Sequence, residues 1–275
     1  MIRYSKYLLV TVTLLSWGML SGCGTGINLF AKSEDVKLGQ QMQAQIASDP
    51  KNYPVLNNST VTSYVQGIVN RIVQSPEVKN KDFNYRVTII NDSKTVNAFS
   101  IPGGPMYVYT GLLKFIDNEA TLAGILAHEI THADHRHATK QLSEQYGLQV
   151  VLSVAAGQAG GGMAGDMVNA IAGIGGQLAM LRFSRDDERD ADKTSFEDLM
   201  SISGRPWYPA AIKYFMVKTL SSDPKGALER NLTTHPPSKE RLDNVTKQAT
   251  DAKLPEPTES NLLSTPFQKI KSMLP

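Results

Sequence analysis

The stretch Glu119–His137, EATLAGILAHEITHADHRH, decides how this chain is read. Its first half is apolar, and its second half holds four of the chain's five histidines. Leu122, Ile125, Leu126 and Ile130 recur at helical spacing, so the stretch reads as a buried helix capped at Asp117 or Asn118. A helix turns about 100° per residue, which leaves His128 and His132 about 40° apart and one turn apart along the axis. Two imidazoles on one face can hold one Zn²⁺, and Glu129 beside the first can reach a water on that ion. By itself this HExxH pattern is a weak signal, because two of its five positions are free.

A catalytic zinc keeps three protein ligands and one open position. The helix is expected to continue through Leu142 to about Ala156. On a straight helix His135 lies about 10 Å along the axis from His128. His137 falls on the opposite face. The third ligand is therefore sought elsewhere, and SRDDERDAD, Ser184 to Asp192, is the candidate. Glu188 and Asp192 stand at i and i+4, so their carboxylates share one helix face. Glu188 as ligand and Asp192 against the free nitrogen of a ligand histidine would both come from that helix. A charged, solvated helix start is the plainer account of the same residues, since the dipole favours acids there. His135 reads as a surface residue or as a second, weak metal contact.

Elsewhere the chain alternates helix signals with a short β region. Helices are expected over 33–48, from Ser59 or Thr60 to before Pro76, over 186–202 and 208–220, and after Ser238. Phe83 to Ile90, Val96 to Ile101 and Met106 to Thr110 read as strands. Pro102-Gly103-Gly104-Pro105 between the last two marks either an edge open to an extended peptide or a plain hairpin turn. GQAGGGMAG, residues 157–165, reads as an interruption, either a loosely ordered surface loop or a flap over a site, and 166–181 as helix again. The fold class is α+β: mostly helical, with a small, about three-stranded sheet whose edge strand flanks the active-site helix.

The chain has 275 residues, 41% hydrophobic and 20% charged, enough for one sizeable core. Two of its 28 basic residues, Arg3 and Lys6, lie in the first 22, which leaves 26 against 26 acidic residues. That balance offers nothing to nucleic acid. Arg3 and Lys6 precede an uncharged run, Leu8 to Leu20, too short to span a bilayer comfortably and read as a signal peptide. Leu20-Ser21-Gly22-Cys23 resembles a bacterial lipobox, which implies cleavage before Cys23 and lipid on that residue. Cys23 is the chain's only cysteine, so it has no disulfide partner within the chain. Gly24 after it, rather than Asp, points to the outer membrane in a Gram-negative cell. The expected layout is a signal peptide at 1–22, a lipidated tether at 23–32, a catalytic domain at 33–250 and a tail at 251–275.

HEITHADHRH, SRDDERDAD, THPPSKERL and NAFSIPGGPMYVYTGLL together resemble the M48 zinc metallopeptidases, over roughly residues 35 to 248. The resemblance, with the lipobox, is to the periplasmic lipoprotein members of that family that act in outer-membrane protein quality control. It implies a gluzincin-type zincin fold and one zinc ion held by His128, His132 and Glu188. Glu129 is then the catalytic base. Asp192 matches the acidic position behind the ligands, His137 an Arg-His pair that supports them, and Arg241 a partner for a carboxylate near the cleft. Asn97, Ile101, Gly103, Gly104, Met106 and Tyr107 fall in the substrate-strand segment. His235 would donate to the developing oxyanion, or fill the open zinc position and hold the enzyme off; otherwise it only caps the next helix. Thr131 and His135 depart from the family pattern.

The implied reaction is peptide-bond hydrolysis in unfolded or misassembled polypeptides, outer-membrane proteins among them, at the periplasmic face of the outer membrane. The rival from another class is a non-catalytic, chaperone-like envelope module with a structural zinc. Glu129 counts against it, because a structural site needs no base. A zinc hydrolase of cell-wall or small-molecule amides is a second rival, disfavoured by the strand segment.

Overall fold

The computed structural model describes residues 28–155, 182–222 and 235–275. Its elements in chain order are α1 (Lys32–Ser48), α2 (Ser59–Val73), β1 (Val87–Ile90), β2 (Ala98–Ser100), β3 (Met106–Tyr109), α3 (Thr110–Phe115) and α4 (Glu119–Asp134). Then follow α5 (His137–Ala155), α6 (Arg185–Ser201), α7 (Ile212–Ser222), α8 (Lys239–Asp251), α9 (Glu259–Leu262) and α10 (Ser264–Lys271). Cys23, the glycine-rich 157–165 and the expected helix at 166–181 lie outside the described residues. Among the described residues no helix is long and apolar enough to cross a membrane.

The α+β expectation holds. α4 is the central post: every residue from Ala120 to Asp134 is buried. Asn118 starts it by accepting a hydrogen bond from the Thr121 N–H at 2.8 Å, which satisfies one of the free amides of the first turn. α6 and α7 pack on it, α2 lies behind it, and β2 runs along it. The sheet has the order β1-β3-β2, with β1 parallel and β2 antiparallel to β3. Val87, Ile89, Ala98, Met106 and Val108 face the main core with α2 and α4. Ile90, Phe99, Tyr107 and Tyr109 face a smaller core under α1 with Leu38, Met42 and Ile46. Both faces are covered, which is why the strands read as nearly continuous apolar runs.

Strand order corrects one expectation. The segment around Ile101 to Tyr109 is expected to hold an extended substrate as an edge strand, but its strand β3 is the middle one, with its backbone paired to β1 on one side and β2 on the other. The Pro102–Pro105 turn is a hairpin turn, and it is buried under α1. A Cβ on Gly39 would stand 2.0 Å from the Pro102 carbonyl oxygen, so only glycine lets α1 approach. Gly103, at φ +79°, lies against the Val36 backbone. The free edge beside α4 is therefore β2, residues Ala98–Ser100.

Residues beyond 250 enter the same core. Phe267 is completely buried on α10, and Lys271 donates to the Ile116 carbonyl at 2.9 Å. The long helix expected from 119 to 156 is two helices. α4 ends at Asp134, and Arg136 takes a left-handed conformation at φ +59° before α5 begins. An ion pair to a buried carboxylate holds that break: the half-buried Arg136 grips Asp35 of α1 and donates from Nη2 to the Phe30 carbonyl at 2.6 Å.

Candidate metal centre and active site

His128 and His132 project from one face of α4 with their Nε2 atoms 3.1 Å apart. α6 brings Glu188 against both. Its Oε2 lies 3.4 Å from His128 Nε2, and its Oε1 lies 3.5 Å from His132 Nε2. The sequence places Glu188 there through a capping box. The Ser184 hydroxyl accepts from the Asp187 N–H, and the Asp187 carboxylate accepts from the Ser184 N–H, both at 3.1 Å. α6 thus starts at Arg185, and Ala191, Phe196 and Leu199 bury its inner face.

Each ligand candidate is held from behind. His128 Nδ1 sits 3.0 Å from Asp192 Oδ1. Arg241 of α8 grips Asp192 with two 2.7 Å hydrogen bonds, and its Nη1 lies 2.6 Å from Glu188 Oε2. An ionised carboxylate only accepts, so a proton stands on His128 Nδ1, and Nε2 is the nitrogen whose lone pair a metal would take on displacing its proton. His132 Nδ1 lies 2.9 Å from His137 Nδ1, and His137 Nε2 lies 3.0 Å from Asp190 Oδ2. By the same logic His132 donates from Nδ1 and turns a second lone pair inward. Phe183 stacks on the His132 ring at 4.0 Å between centroids.

The electrostatics favour a cation between these groups. Burial alone would lower the His128 pKa, but Asp192 and Glu188 push it up to about 9. Burial, with His235 and His128 nearby, holds His132 well below its usual value. Burial alone would raise Glu188, but His235 and His128 keep it well below the carboxylate range. Asp192 is likewise kept low, against its burial, by Arg241. The spacing also fits zinc: tetrahedral ligand atoms bonded at about 2.0–2.1 Å stand roughly 3.3 Å apart, against 3.1, 3.4 and 3.5 Å here.

Glu129 lies beside this centre with its two oxygens in different roles. Oε2 accepts from the Ser100 backbone N–H at 3.1 Å, while the Ser100 hydroxyl donates to the Glu129 carbonyl at 2.8 Å. Oε1 faces His235, 3.4 Å from its Nε2. The other nitrogen of His235 is 2.6 Å from Glu188 Oε1. His128, His132, Glu188 and His235 form one cluster able to surround an ion, with His235 in the fourth place. Phe183 stacks on His235 as well as on His132. Arg241 Nη1 lies 3.4 and 3.3 Å from the carbonyls of His235 and Pro236, which ties that loop to the ligand carboxylates.

The structure therefore brings together His128, Glu129, His132, Glu188, Asp192, His137, Arg241 and His235. His137 does not point away: the break at Arg136 returns it against His132. His135 is not a free surface residue, since its side chain is only 16% exposed and Nδ1 lies 2.5 Å from Asp190 Oδ2. Asn97 lines the cavity beside the centre with Ala98, Leu112, Ile125 and Met216. Gly103, Gly104, Met106 and Tyr107 are buried in the hairpin turn and the middle strand, and Ile101, also buried, lines a small cavity with Ser100, His132 and Phe183. Sequence reasoning passed over Ser100, Phe183 and Asp190. Of these only Phe183 carried a local signal, as an apolar residue just before a capping box.

The family model described as peptidase family M48 matches residues 59–249, well over half of the chain. The β-barrel assembly-enhancing protease of Yersinia pestis is 29% identical over 225 residues, covering 76% of this chain and 43% of that protein. The protein of that name from Escherichia coli K12 is 27% identical over 232 residues, covering 78% and 45%. The mitochondrial metalloendopeptidase OMA1 of Schizosaccharomyces pombe is 26% identical over 225 residues, covering 81% and 63%. The chain spans less than half the length of those two bacterial relatives. A family match across the β region, the histidine helix, α6 and α8 takes in every residue of the centre just described, and the chain belongs to peptidase family M48.

Proposed function

We propose that this chain is a zinc-dependent endopeptidase that cleaves unfolded or misassembled polypeptides in the bacterial cell envelope. One observation carries the proposal: three inward-facing donors at tetrahedral spacing lie beside a carboxylate, Glu129, that no ligand role accounts for. Zinc held by His128, His132 and Glu188 would supply Lewis-acid polarisation of the scissile carbonyl and of the attacking water. The Ser100 N–H pins Glu129 Oε2, which leaves Oε1 to take the proton from the attacking water. The same oxygen returns it to the nitrogen of the leaving amine. Asp192, His137 and Arg241 hold the ligand side chains in place and do not touch the substrate.

β2 offers the substrate a backbone edge. The Asn97 carbonyl and the Ile101 N–H bond toward the β3 side, so by alternation the Ala98 N–H and carbonyl and the Ser100 carbonyl turn to the free edge, where the Ser100 N–H already holds Glu129. An extended chain added there is read by its backbone, which favours unfolded polypeptides over one sequence. His235 bonds Glu188 and faces Glu129, so it closes the centre and must swing aside for substrate. The names of the bacterial relatives support outer-membrane β-barrel proteins as the substrate class. The lipobox supports attachment through lipid on Cys23 at the periplasmic face of the outer membrane.

The test is digestion of one β-barrel protein, unfolded and folded, by the protein carrying one equivalent of zinc. Cleavage of the unfolded form is expected, lost with a chelator and restored by zinc. No cleavage of it, or cleavage that the chelator leaves untouched, would overturn the proposal.

A further inference from the structure

A second cluster lies one ring further out. His135 and His137 flank the left-handed Arg136, and both turn toward α6. His135 Nδ1 lies 2.5 Å and His137 Nε2 3.0 Å from the same oxygen, Asp190 Oδ2. Asp187 Oδ1 lies 3.7 Å from His137 Nε2. Asp187 and Asp190 are i and i+3 on α6, so both present to one face.

We propose that His135, His137 and Asp190, with Asp187 as fourth donor, form a second binding site for a zinc-type divalent cation, separate from the catalytic one. Two imidazoles and two carboxylates match zinc and its transition-metal neighbours, whereas Ca²⁺ and Mg²⁺ ask for oxygen alone. The donors of His135, His137 and Asp190 already lie within 4.8 Å of one another. The site is reachable, since the Asp190 side chain is 43% and that of Asp187 22% exposed. It is also anchored, since the His137 side chain is only 2% exposed. An ion entering here displaces the proton that His137 Nε2 shares with Asp190, and that proton leaves to solvent.

The two sites share a wall. His137 Nδ1 faces His132 Nδ1 at 2.9 Å, so a second ion that draws His137 toward α6 weakens the support of a catalytic ligand. Coupling of this kind acts in both directions, so each ion lowers the affinity for the other. Excess zinc is expected to slow peptidase turnover. That effect rests on the proposed function; the second site itself does not.

The test counts ions. The full chain, without a polyhistidine tag, is stripped of metal, titrated with Zn²⁺ and analysed for bound zinc. Wild type is expected to hold two ions. His128→Ala, His135→Ala and Asp190→Ala are each expected to hold one, with unchanged circular dichroism. With one equivalent of zinc, His135→Ala should match wild-type turnover and need at least tenfold more zinc for inhibition. A wild type that holds a single ion sinks the second site, and so does a second ion that survives the paired His135→Ala and Asp190→Ala changes. A His128→Ala protein that still holds two ions would instead count against the catalytic reading, so the two failures are told apart.

Discussion

Two histidine pairs sit within ten residues of one another, and they are built differently. His128 and His132 are four apart on a regular helix, so their convergence follows from helix geometry alone. His135 and His137 are two apart, and on a continuous helix they would diverge. They converge on Asp190 because the chain breaks at Arg136. The first pair is preorganised by local structure; the second depends on a tertiary contact, the grip of Arg136 on the buried Asp35.

The sharpest way to break that contrast is Arg136 itself. Arg136→Ala strands the Asp35 carboxylate in the core and places a Cβ-bearing residue without a partner at φ +59°. A loss of stability on the order of 3 kcal/mol is expected, measured by urea unfolding. Arg136→Gly accepts that φ freely and should recover about 1 kcal/mol of it. Equal losses would mean that the ion pair alone sets the break.

That dependence explains what the sequence made legible. The i, i+4 spacing of His128 and His132, and again of Glu188 and Asp192, encodes a shared face that survives whatever packs around it. The cap at Asn118 and the box at Ser184 are local signals too. The break after Asp134 has no glycine or proline to announce it, so the helix was expected to run on and His137 to point away. Strand order was hidden for a similar reason. MYVY and the residues before it are both apolar, and only the long-range pairing of β1 with β3 makes β2 the edge. Ser100 joins the site through its backbone N–H, which no side-chain pattern records.

Arg241→Lys sharpens the first pair. Lysine cannot reproduce the paired bonds to Asp192 together with the contact to Glu188. Zinc affinity is expected to fall by about 10–100-fold, read by competition with a chromogenic chelator. An unchanged affinity would show that α8 contributes nothing to the ligands. A smaller effect is expected at the loop above them. His235→Ala frees Glu129 Oε1 and Glu188 Oε1, and turnover of an unfolded substrate should rise several-fold. A fall instead would assign His235 to the stabilisation of the oxyanion.

The most direct measurement is the cleavage rate of a saturating unfolded polypeptide by wild type and Glu129→Gln, each carrying one equivalent of zinc. Glutamine keeps an oxygen for the Ser100 N–H and leaves all three ligands in place, so zinc content should not change. The rate is expected to fall by about 10²–10⁴-fold, the usual weight of a general base. Equal rates at equal zinc content would contradict the assignment of Glu129, and with it the claim that this helix carries a peptidase centre.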